Sequence, residues 1–132
     1  SFVFSSTMSL SHASPWGKGE LILEDWAADA FIEYVKGKSN RSPGVFLVAT
    51  DGDGVSYWYC SDGLGNCQSG SYTQMILHCE QAWQKECKPF ASKRTIKWKN
   101  GINPGKGKES RINSKWSDNE IKDKLRELGF LR

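Results

Sequence analysis

Apolar residues recur at three- and four-residue steps early in the chain, at Leu23, Trp26, Ala27, Ala30, Phe31, Tyr34 and Val35. That period places them on one face of a helix, predicted over Glu24–Lys36. Glu24 and Asp25 stand where the helix dipole favours anions, and Lys36-Gly37-Lys38 supplies a C-terminal stop. Beyond the polar loop Lys36–Gly44 the pattern changes. Gly44–Thr50 (GVFLVAT) and Val55–Cys60 (VSYWYC) are short runs rich in β-branched and aromatic residues, and both read as strands. Asp51-Gly52-Asp53-Gly54 between them suits a hairpin turn, because Gly and Asp tolerate positive φ. Helical stepping returns over Ser71–Gln84, with Tyr72, Met75, Ile76, Cys79, Ala82 and Trp83 as its stripe. Cys87–Ala91 and Thr95–Trp98 read as two further strands joined by Ser92-Lys93-Arg94. Asn100–Lys115 has no period and much Gly, Asn and Lys, so it is a long ordered loop or a mobile arm. Ser117-Asp118-Asn119-Glu120 matches a capping box, opening a helix with Ile121, Leu125 and Leu128 on one face and Gly129 at its end. The order α-β-β-α-β-β-α predicts an α+β fold, a small antiparallel sheet of about four strands packed with helices.

Size and composition narrow this further. A chain of 132 residues without internal repeats fits one domain, expected over residues 14–132 with a basic arm at about 99–116 and a C-terminal helix. Six Trp, six Phe and four Tyr can build a core. No 18-residue apolar run is present, which excludes a transmembrane helix of ordinary length. All four cysteines, Cys60, Cys67, Cys79 and Cys87, lie in one 28-residue window. An even, clustered set in a small chain points to disulfides and an oxidising compartment, and each bridge would stabilise by roughly 2–4 kcal/mol. Three pairings are open. Ser1–Ala13 (SFVFSSTMSLSHA) is uncharged, and Ser11 and Ala13 occupy the −3 and −1 positions of a small-x-small cleavage site. It reads as the remnant of a secretory signal peptide, with the mature protein starting near Ser14 or Pro15 in the periplasm or outside the cell.

A family resemblance appears in the central block. FLVATDGDGVSYWYC (Phe46–Cys60), HCEQAWQKECKPFA (His78–Ala91) and RTIKW (Arg94–Trp98) together resemble a group of small exported bacterial domains, mostly uncharacterised. Their shared pattern is a strand ending in a DG turn, a Tyr-rich strand, a helix carrying "CE", a "CK-x-FA" strand and an "IVW"-like strand. The likeness covers under half of the chain and brings no catalytic residue with it. It implies an exported sheet-and-helix module in which Cys79 pairs with Cys87, leaving Cys60 for Cys67. Lys97 departs from the pattern, which has valine there, and this makes that edge more exposed.

Candidate reactive chemistry is sparse. Zinc sites use close C-x₂₋₄-C pairs, and neither cysteine gap is that short. His78 and Cys79 are adjacent on a helix and point about 100° apart. No CxxC motif suggests a reactive thiol. Asp51 and Asp53 resemble the start of a calcium loop, but the twelfth position is Asp62 and the central spacing is wrong. Gly101–Gly107 (GINPGKG) lacks the Ser or Thr that a phosphate loop needs after its lysine. No cofactor is therefore expected. Loss of a leader would remove His12, so a hydrolase or inhibitor built on an imidazole would depend on His78 with a nearby carboxylate.

Charge is the strongest functional signal. Lys93, Arg94, Lys97, Lys99, Lys106, Lys108, Arg111 and Lys115 face a single acid, Glu109, in the stretch 93–115, for a local net charge of +7 in a chain of +3. Residues 1–92 carry a net charge of −4. Trp98 and Trp116 flank the arm Asn100–Lys115. Bases with aromatics can hold an anionic polymer by charge and stacking. The expectation is a non-enzymatic exported module whose partner is an envelope protein or an anionic polymer, with the small hydrolase or inhibitor as the alternative. Thiol titration tests the compartment: the folded, unreduced protein should show no free thiol, and four reactive thiols would remove the case for export.

Overall fold

The structure, a computed structural model, describes residues 16–37, 41–59 and 72–132. The candidate leader 1–13, Cys60 and Cys67 lie outside the described residues. The α+β expectation holds. Helix α1 (Asp25–Lys36) is followed by strands β1 (Pro43–Ala49) and β2 (Val55–Tyr59), helix α2 (Tyr72–Trp83), strands β3 (Cys87–Ser92) and β4 (Thr95–Ile96), a 3₁₀ turn at Lys108–Ser110, and helix α3 (Asp118–Glu127). The four strands form one antiparallel sheet in the order β2-β1-β3-β4.

Strand β1 is central and has helices over both its faces. Phe46 and Val48 join the larger core with α1, α3, Phe90, Ile96 and Trp98. Val45, Leu47 and Ala49 point the other way, into a smaller core with Met75 and Cys79 of α2 and with Cys87. Burial on both faces explains the unbroken apolar run Val45–Ala49, where a half-exposed strand would alternate. The larger core is aromatic. Phe31 meets Phe46 and Phe90 edge to face at 5.1 and 5.3 Å, and Phe90 meets Phe130 in the same way at 5.0 Å. Such pairs add about 0.5–1.5 kcal/mol each beyond area burial. Tyr34 is buried among them and donates its hydroxyl hydrogen to the Lys93 carbonyl at 2.6 Å. Burial holds its phenol well above the ordinary tyrosine range, so it stays a donor.

The α2 layer is thinner. Only Met75 and Cys79 of that helix are buried, while Tyr72, Ile76 and Trp83 pack partly exposed and Ala82 faces solvent. A disulfide between Cys79 and Cys87 ties the layer to β3, so the pairing implied by the family likeness is present. The Glu80 carboxylate accepts from the Cys87 backbone N–H at 3.0 Å and fixes the same joint.

Other expectations need correction in detail. The buried face of α1 comprises Ala27, Ala28, Phe31, Ile32, Tyr34 and Val35, rotated from the predicted stripe. Trp26 is 41% exposed, because its indole N–H leaves the core and donates to Asp53 Oδ1 at 2.7 Å. Strand β4 ends at Ile96, two residues early. The N–H groups of Lys97 and Trp98 both donate to the Phe90 carbonyl, which breaks the ladder and turns Trp98 inward. The capping box of α3 forms as expected, with the Glu120 N–H donating to Ser117 Oγ and the Ser117 N–H to Glu120 Oε1.

Residues 16–19 close the sheet's far end. The Gly17 N–H donates to the Pro89 carbonyl at 3.2 Å, and the Gly19 N–H donates to the Lys99 carbonyl at 2.8 Å. The Trp98 indole N–H donates to the Gly19 carbonyl at 2.8 Å. Any Cβ at Gly17 would overlap the Trp98 ring, so glycine is required there by close approach. Gly17→Ala should destabilise the protein by about 1–3 kcal/mol, the usual cost of overpacking. Urea unfolding should show a lower midpoint at an unchanged slope.

Candidate anion-binding face

The stretch after Trp98 looks featureless as sequence, yet it is strapped to the sheet by side-chain hydrogen bonds. Asn100 opens it with an Asx turn, its Oδ1 accepting from the N–H groups of Ile102 and Asn103 at 3.0 and 2.9 Å. Its Nδ2 donates to the Leu128 carbonyl at 2.7 Å, anchoring the turn to the end of α3. Asn103 then turns inward and is almost fully buried. Its Nδ2 donates to the carbonyls of Ile96 and Trp98 at 3.0 and 2.6 Å, the positions where β4 has stopped pairing. Its Oδ1 accepts from the Ser110 hydroxyl at 2.6 Å. Ser110 Oγ accepts in turn from the N–H groups of Gly105 and Lys106 at 3.0 and 3.1 Å. No buried side-chain polar atom is left without a partner among the described residues, so this hub carries little desolvation penalty.

The strap ends beside β4. Arg111 forms a bridge with Thr95, and the Ile112 N–H donates to the Arg94 carbonyl at 2.8 Å while its side chain enters the core. Gly105 has φ +80°, and a Cβ there would lie 3.0 Å from the Lys97 carbonyl and 3.1 Å from Lys99 Cε. The strap thus passes directly over the chain just beyond β4, with Lys99 and Lys106 at the two feet of the 99–106 loop.

The eight predicted bases are placed as follows. Lys93, Lys99, Lys106, Lys108, Arg111 and Lys115 are exposed. Arg94 is half-buried and donates from Nε to the Val35 carbonyl at 2.8 Å, supporting the last turn of α1. Lys97 Nζ lies 5.9 Å from the centroid of the Trp16 ring, a cation–π contact on an aromatic that also packs on Tyr72 at 5.2 Å. None of the eight has a carboxylate within 4.0 Å among the described residues. By contrast Lys36, Lys85, Lys88, Lys122, Lys124 and Arg126 are all ion-paired. The structure adds one base that the sequence did not single out. Lys18 is exposed and forms a bridge with Lys99. A single lysine some eighty positions away, in a glycine-rich lead-in, carries no signal for this juxtaposition.

The flanking tryptophans have a different role from the stacking one first considered. Trp98 is 2% exposed and Trp116 packs against the core, so both pin the ends of the strap. Trp16 is the aromatic that a base of this stretch, Lys97, contacts.

The remaining candidates resolve into scaffold features. Asp51 and Asp53 form a hairpin turn closed by Lys85, whose Nζ lies 3.0 Å from Asp51 Oδ2 and 3.6 Å from Asp53 Oδ2. The Asp53 N–H and then Lys85 hold the Asp51 carboxyl below the usual range. His78 is exposed on α2 with its ring 5.5 Å from that of Trp58, and no carboxylate lies within 4.0 Å of it among the described residues.

Asn103→Ala removes the donor to two carbonyls and the acceptor of the Ser110 hydroxyl. Leaving buried groups unpaired costs about 1–3 kcal/mol each, so a total loss of about 2–4 kcal/mol is expected. The amides of Gly105 and Lys106 should lose hydrogen-exchange protection before the core does; uniform loss across the chain would count against a separate strap.

Comparison with known proteins found no matching family model, no matching curated relative and no matching solved structure.

Proposed function

We propose that this chain is a non-catalytic exported binding module that holds an anionic partner of the cell envelope against the strap and the β4 edge. The observation that carries this reading is the set of six exposed bases between Lys93 and Lys115, none with a carboxylate within 4.0 Å among the described residues, most of them on or beside a segment fixed by a buried hub. A mobile lysine-rich loop needed only for solubility gains nothing from Asn103 and Ser110, which hold the backbone in one geometry. Preorganisation lowers the ordering cost of binding and raises affinity without new contacts. Exposed like charges without local partners also repel one another, and an anionic ligand relieves that repulsion.

Export is supported by the Cys79–Cys87 disulfide, a bond favoured in oxidising compartments, and by the leader-like composition of residues 1–13. Against the hydrolase or inhibitor alternative stands the surrounding of His78, which offers an indole and, among the described residues, no carboxylate within 4.0 Å to orient an imidazole base.

Charge reversal at Lys106, Lys108 and Arg111 tests the binding model, since all three are exposed and outside the buried hub. With inorganic polyphosphate as the probe, the triple glutamate variant should bind at least about tenfold more weakly. Its slope of log affinity against log salt should be shallower by about two to three, one unit for roughly each lost phosphate contact. An affinity and slope equal to those of the parent would reduce the strap to a solubility feature.

A further inference from the structure

We infer that the anionic partner is a lipid bilayer surface, with Ile102 as an apolar tip that enters the headgroup region while the surrounding lysines engage lipid phosphates. This rests on the anion-binding reading above and names its ligand. The large apolar side chains most exposed among the described residues are Trp26 at 41%, Leu77 at 50% and Ile102 at 61%. Trp26 is tied to the hairpin through Asp53. Leu77 lies on α2, outside the basic strap in sequence. Ile102 sits within the basic strap, between Lys99 and Lys106.

Its position is held by design of the loop. The Ile102 N–H donates to Asn100 Oδ1, and Asn100 in turn donates to the Leu128 carbonyl. Asn103, the next residue, is clamped into the β4 end by its bonds to Ile96 and Trp98. Ile102 is therefore held between two anchored asparagines, with its Cδ1 beside Gly129 at the end of α3 and most of its side chain still exposed. A soluble polyanion makes no use of a fixed, exposed isoleucine. A bilayer surface uses both features, since its attraction to a peripheral site scales with buried apolar area together with the pull of anionic headgroups on nearby bases.

The bases around the tip complete the match. Lys99 and Lys106 stand at the feet of the loop, Lys18 is bridged to Lys99, and Lys108 follows in the 3₁₀ turn. All four are exposed, and none has a carboxylate within 4.0 Å among the described residues. A single isoleucine is too small an anchor to hold a protein on a neutral membrane, so association should require acidic lipid and fall with salt.

The test is cosedimentation of the full chain with vesicles of phosphatidylcholine alone and of phosphatidylcholine mixed equally with phosphatidylglycerol, alongside polyphosphate binding. The parent should associate with the acidic vesicles only. Ile102→Ser should weaken that association about tenfold, Ile102→Trp should strengthen it several-fold, roughly in line with the interfacial preference of tryptophan, and neither should change polyphosphate affinity. Polyphosphate binding without vesicle association, or equal vesicle binding by parent and Ile102→Ser, overturns the lipid assignment and leaves the anion face standing. Failure to bind either probe overturns both. Near-UV circular dichroism of each variant confirms that the core is intact, since Ile102 is outside it.

Discussion

The fold depends on β1 being buried from both sides. Phe46 and Val48 must meet an apolar layer on one face, while Val45, Leu47 and Ala49 must meet another on the opposite face. An antiparallel sheet with one wet face could not carry this strand at its centre. The two layers are unequal. Helices α1 and α3 bring large aromatics and aliphatics, including Phe31, Tyr34, Ile121 and Leu125, whereas α2 buries only Met75 and Cys79. The disulfide sits on the weaker side, where apolar area is smallest and a covalent tie has most effect.

The same economy appears at the edge of the sheet. Strand β4 pairs through only two residues before Trp98 must turn into the core. The carbonyls of Ile96 and Trp98 are then left without strand partners, and the Asn103 amide serves both. One asparagine thus ends a strand and starts a loop. The lysines arrive on that loop already positioned, because the backbone that carries them is held from below through Ser110. Structure and charge are separable here, since the buried groups set the geometry and the exposed groups set the field.

Legibility from sequence followed the range of the interactions. The capping box at Ser117 and Glu120, the DGDG hairpin and the strand run Val45–Ala49 are local patterns, and they read correctly. The α1 stripe was misplaced at Trp26 because its indole finds Asp53, a partner 27 positions away, and no helical period encodes that. Ala82 faces solvent for a related reason, since α2 covers too little of the sheet to bury its whole stripe. The basic cluster was visible as composition. Its geometry was hidden, because single hydrogen bonds from Asn100, Asn103 and Ser110 leave no periodic trace. Lys18 joined the face only through tertiary pairing.

The strap has a consequence for how copies of the chain treat one another. The outer edge of β4 would otherwise present open N–H and C=O groups to any passing strand, the usual template for aggregation. Arg111 and Ile112 occupy that edge from within the same chain, through the Thr95 bridge and the bond to the Arg94 carbonyl. Lysines then crowd the approach. The segment that gives the protein its positive face therefore also insulates one margin of the sheet, so that concentrating the protein on a surface would not invite this edge to polymerise.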